Sequence, residues 1–250
     1  MTGVLDEVLI AAAGVLAGIV GTAGGITSLV SYPALLAVGV PAFAANVVNN
    51  VALVACWPGS ALASRPELEG SRPWLRRWTW VAAAGGVAGA ALLLSTPSQA
   101  FGRIVPFLVA AGSLALLAQP WISARFRGRA LDSRPILLAG LLVVSAYNGY
   151  FGAGSGVMIL SLLLVTVDDH MARANALKNM LVGASSVLSA LAFIIFVPVD
   201  WRAVIPLSIG LLAGSTIGPR VARRLPAGVL RWLAALLGLG LAVKLWVAPA

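Results

Sequence analysis

Two short strings in this 250-residue chain carry polar side chains at helical spacing within otherwise apolar sequence. The first is Asn46, Asn49 and Asn50; the second is Asn175, Lys178 and Asn179. Intervals of three and four put Asn46 on one helix face with the other two, and the second set repeats that spacing with lysine in the place of Asn49. An amide in an apolar span is costly unless paired. These residues therefore either tie helices together or line a polar cavity and donate to a ligand. Lys178 either extends its stem to the aqueous interface or meets an anion.

A glycine cluster precedes each set: Gly21, Gly24 and Gly25, then Gly152, Gly154 and Gly156. Small residues let helices approach closely in lipid. Glycine also lets a backbone turn within the bilayer and start a new helix, whose N-terminal amides attract anions. Such irregular backbone is tolerated at membrane depth only when buried or lining a cavity. Thr22, Thr27, Ser28 and Ser155 stand beside the breaks as further donors, and Tyr147, Asn148 and Tyr150 read as packing residues before the second break.

What is missing narrows the chemistry. The eight acidic residues fall in loops or at segment ends, whereas proton relays place a carboxylate mid-span. A cation site is disfavoured and an anion site of amides, hydroxyls and Lys178 is favoured. The lone His170 and lone Cys56 offer no metal set and no internal disulfide. No GxxxxGK[ST], GxSxG or HExxH string occurs. The chain is expected to be no enzyme and to need no cofactor or metal.

The elements that position these residues follow from composition. Sixty per cent of residues are hydrophobic, 10% are charged, and mean hydropathy is +0.98. A soluble domain runs nearer to about 45–50% and about 25%, so the expected solvent is lipid. The net charge of +9 is read as loop charge that sets membrane orientation, with no nucleic acid as partner. Apolar segments at about 4–22, 26–40, 43–63, 78–95, 103–122, 135–152, 155–167, 176–197, 202–218 and 228–247 predict an all-α polytopic protein of 8–10 spanning or half-spanning helices. Segments 26–40 and 155–167 are short for a full crossing. Assigning alternate loops to opposite sides leaves fourteen basic residues on one side against Arg103, Arg202 and Lys244 on the other. The positive-inside rule makes the crowded side cytoplasmic and puts both termini outside. Asp6 and Glu7 at the N-terminus, with no Lys or Arg before the first apolar run, argue for a retained span over a cleaved signal.

The glycine and asparagine strings recur in order. Gly25 aligns with Gly156, Asn46 with Asn175 and Asn50 with Asn179, and the glycines at 85 and 89 match those at 210 and 214. Two related halves are expected, 1–122 and 135–250, joined by a basic linker at 123–134. Five segments per half is an odd number, so the halves would be inverted, as in many secondary transporters whose substrate site lies between them.

The run AGGITSLVSYPALLAVGVP resembles the first signature of the TauE/SafE family of sulfite exporters. YFGAGSGVMILSLLL, RANALKN and PVDWRAVIPLSIGLLAGSTIGPRVARRLP closely resemble the second half of that family. The resemblance covers nearly the whole chain. It implies a bacterial inner-membrane permease for sulfite, sulfoacetate or another organosulfur anion. Carried over by position, it points to Gly24, Gly25, Asn46, Asn50, Gly152, Gly154, Gly156, Asn175, Lys178 and Asn179, beside Ser155 from the break itself. The expected partners are a small anion and the lipid bilayer; the coupling ion and any homo-oligomer stay open. A passive anion channel and a non-transporting membrane accessory protein stand as alternative readings of the same residues.

Overall fold

In lipid every backbone N–H and C=O must be satisfied within the protein, which favours helices wherever an apolar run is long enough. A computed structural model describes residues 3–126, 134–167, 170–222 and 227–247, and these residues contain helices and connecting turns with no strand. The helices are α1 (Val4–Gly24), α2 (Ser28–Ala37), α3 (Ala42–Leu53), α4 (Cys56–Ala63), α5 (Arg72–Leu94), α6 (Ser98–Phe126), α7 (Arg134–Tyr150), α8 (Ser155–Thr166), α9 (Met171–Phe196), α10 (Trp201–Ala222) and α11 (Ala227–Val247). Most of the basic linker, residues 127–133, lies outside the described residues, as do Asp168 and Asp169. The chain is a multi-pass membrane protein. Among the described residues, five helices contain stretches long and apolar enough to cross a bilayer, within α1, α5, α6, α9 and α10.

Helices α2 and α8 have 10 and 12 residues. At 1.5 Å per residue they extend about 15 and 18 Å, roughly half of a hydrocarbon core of about 30 Å. The segment expected as one run at 43–63 is two helices. Pro58, in the first turn of α4, has no N–H to donate and its ring would collide with the carbonyl of Val54. The chain tightens there instead, with the Trp57 amide donating to Val54 O at 3.1 Å.

Helix pairing alternates between the two halves of the chain. Helix α1 packs along α10, while α5 packs against both α7 and α9; α6 pairs with α11. Glycines make the closest of these seams. A Cβ on Gly210 would lie 2.1 Å from Ala11 O, and one on Gly214 would lie 2.2 Å from Val15 O. At the α5–α7 seam a Cβ on Gly89 would lie 1.9 Å from Ala146 O. The glycines at 85 and 89 thus let α5 lie against α7, and those at 210 and 214 let α10 lie against α1.

Candidate functional site

Two helix breaks meet at the centre of the bundle. Helix α1 ends at Gly24, and Gly25 follows with φ +75°, its N–H donating to Gly21 O at 2.6 Å. Between α7 and α8, Gly152 and Gly154 have φ +82° and +77°. These left-handed conformations are open to glycine and strained for residues with a Cβ. The breaks touch through bare backbone: a Cβ on Gly25 would lie 2.7 Å from the Gly156 carbonyl carbon, and one on Gly156 would lie 2.7 Å from Gly25 Cα.

Asparagines brace both breaks from outside. The Asn46 amide, on α3, donates to Tyr150 O at 2.8 Å, at the end of α7. The Asn175 amide, on α9, donates to Thr22 O at 3.0 Å, near the end of α1. Each therefore satisfies a carbonyl that the neighbouring break leaves without its intrahelical partner. A second pair holds the helices that restart. The Asn49 amide donates to Ser28 Oγ at 3.0 Å at the first residue of α2. At the first residue of α8, Ser155 Oγ donates to Asn148 Oδ1 at 2.6 Å. The Asn50 amide bonds back to Asn46 O at 3.0 Å within its own helix.

Beside the crossing lies a cavity of about 50 Å³. Gly21, Thr22 and Gly25 border it from the first break, with Thr27 and Ser28 from the start of α2. Gly152, Ser155 and Gly156 close it from the second break, and Asn148 comes from α7. Cys56, Trp57 and Ser60 come from α4, and Lys178, Asn179 and Ser186 from α9. Lys178 is 1% exposed. Three buried donors bordering this space have no hydrogen-bond partner: Trp57 Nε1, Lys178 Nζ and Asn179 Nδ2. Among the described residues, no acidic side chain borders it. The Trp57 ring rests on Gly183, where a Cβ would lie 2.2 Å from its Cδ1. Unpaired buried donors are rare and costly. A ligand rich in acceptor oxygens would satisfy all three, and the adjoining hydroxyl of Thr27 adds a donor.

Of the residues expected at a site, Gly25, Gly152, Ser155, Gly156, Lys178 and Asn179 border this cavity together. Asn46, Asn50, Gly154 and Asn175 are not among its lining residues, and the surroundings of Gly24 lie outside what the structure describes. Gly154 packs on α6 instead, where its Cβ would lie 2.8 Å from Gly112 O. Trp57 and Ser60 were not anticipated, and Asn148 was read as packing. Trp57 carries no local signal of its role, because its position depends on the Pro58 break and on the notch at Gly183.

A bundle of full-length and half-length helices, interrupted at its centre around a buried donor-lined cavity, is the architecture of a membrane transporter. Residues 9–245 match the family model for Sulfite exporter TauE/SafE, and the chain belongs to that family. It is similar to the probable membrane transporter protein ORF9 of Sinorhizobium sp, at 24% identity over 94% of this chain and 90% of the relative. It is also similar to the probable membrane transporter protein YfcA of Escherichia coli K12, at 27% identity over 82% and 77%. A probable membrane transporter protein of Haemophilus influenzae is 27% identical over 83% and 82%. No solved structure matches the chain significantly.

Proposed function

We propose that this chain is a secondary transporter, not an enzyme, that exports a small sulfur-containing oxyanion such as sulfite or an organosulfonate across a bacterial inner membrane. The observation that carries the reading is the set of three buried, unpartnered donors around a cavity that no carboxylate borders among the described residues. Lys178 supplies the countercharge, while Trp57 and Asn179 direct hydrogen bonds at the anion and replace part of its lost hydration. Ser155 and the breaks at Gly25, Gly152 and Gly156 shape the space. Asn46 and Asn175 act at one remove, by holding the helix ends that frame it, and Asn50, Gly24 and Gly154 support those braces and breaks.

The halves 1–122 and 135–250 would be inverted repeats joined by the linker at 123–134, with both termini outside and the basic loops in the cytoplasm. Exchanged partners across the α1–α10 and α5–α7 seams support this arrangement. So does the origin of the cavity lining, drawn from both halves. Rocking one half against the other would expose the cavity alternately. The deciding experiment is anion flux into proteoliposomes, comparing sulfite, sulfate, thiosulfate, sulfoacetate and chloride. Saturable, selective flux lost in Lys178→Gln is the expected result. Undiminished flux in that variant overturns the site, and non-saturating flux without counterflow identifies a channel.

A further inference from the structure

A second recess, of about 280 Å³, lies where α5 and α7 begin, on the basic side of the bundle. It shares no lining residue with the cargo cavity. Arg77, Trp78 and Val81 border it from α5, and Arg134, Pro135 and Leu138 from α7. The two helices run in the same direction: Gly85 lies against Ser145, and Gly89 lies further along against Ala146 and Tyr150. One turn beyond Arg77 toward the bundle interior is Val81, and one turn beyond Arg134 is Leu138. The recess is therefore graded along its depth, cationic at its mouth and apolar below.

Both arginines are exposed, and among the described residues neither is held by a carboxylate. The Arg77 guanidinium sits 5.6 Å above the Trp78 ring, a cation–π contact that fixes where the charge lies. Trp78 is buried and stacks near Trp74 with ring centroids 6.0 Å apart. Tryptophans at this level mark the boundary between headgroups and hydrocarbon. Guanidinium groups bind phosphate oxygens in paired hydrogen bonds.

We propose that this recess binds an anionic phospholipid, its phosphate held between Arg77 and Arg134 and the upper part of an acyl chain laid over Val81 and Leu138. Charge alone would serve free phosphate equally well. The apolar floor directly beneath the two guanidiniums selects a molecule that has both ends. The proposal rests on membrane insertion and is independent of any transported cargo.

Native mass spectrometry of the purified full chain, released from micelles doped with phosphatidylglycerol or phosphatidylcholine, tests it. Wild type is expected to retain phosphatidylglycerol about tenfold better, by the scale of attraction per basic residue at an anionic surface. In Arg77→Gln/Arg134→Gln that preference falls to the phosphatidylcholine level, and in Arg134→Gln alone it is reduced. Arg103→Gln, an exposed arginine on α6, retains it. Thermal unfolding without added lipid, unchanged among the variants, shows that folding is not the cause. Equal retention of the two lipids, or a preference that survives in the double variant, overturns the proposal. So does displacement of the lipid by excess inorganic phosphate at matched ionic strength, which would make this a phosphate site.

Discussion

Trp57 and Lys178 differ in what their loss should do, because one contributes a hydrogen bond and the other a charge. Trp57→Phe keeps a ring on Gly183 and removes only the indole N–H. A hydrogen bond to a charged group is worth about 1.5–3 kcal/mol, so the KM for cargo should rise by at least about tenfold with little change in maximal rate. Concentration-dependent uptake of labelled cargo checks this, and an unchanged KM would place the indole outside the contact. Gly183→Ala acts on the same ring from behind. With its Cβ 2.2 Å from Trp57 Cδ1, the ring must move toward the cavity, and uptake of a bulky organosulfonate should fall more than uptake of sulfite. Equal losses for the two cargoes would show that the ring does not set the size limit.

The braces and breaks act through whole helices. Asn46→Ala and Asn175→Ala each strip the partner from a carbonyl at the end of a long helix. Leaving a buried group unpaired costs about 1–3 kcal/mol, so both variants should unfold at lower temperature and transport more slowly at an unchanged KM. A raised KM with unaltered stability would show direct contact with cargo. Sequence spacing located these asparagines and their recurrence, but spacing along one helix carries no information about which neighbour each amide meets. Asn46, Asn49 and Asn50 are all fully buried, yet each has a different partner. The half-length of α2 and α8 was legible from their short apolar runs. The division of 43–63 into α3 and α4 was not read from Pro58, and with it went the placement of Trp57.

At the scale of the molecule, the helical membrane architecture was legible because composition and run length alone constrain it. The donor-lined cavity was not, since it gathers side chains from α4, α7 and α9 that are far apart in sequence. The inverted arrangement makes its own prediction about sidedness. Alkaline phosphatase joined at either terminus should be active and a fluorescent protein at either terminus dark, with the opposite pattern for fusions ending in the 64–71 loop. Termini on opposite sides of the membrane would rule out five crossings or hairpin equivalents in each half.

The crossing of Gly25 over Gly156 has a mechanical consequence. A contact made only of main chain has no rotamers to rearrange and no interlocked side chains to lift apart. It can serve as a bearing, across which one body turns on another while the separation at the axis stays constant. Spin labels placed near the crossing should then report one distance in every state of the cycle, while labels at the far ends of α2 and α8 report two.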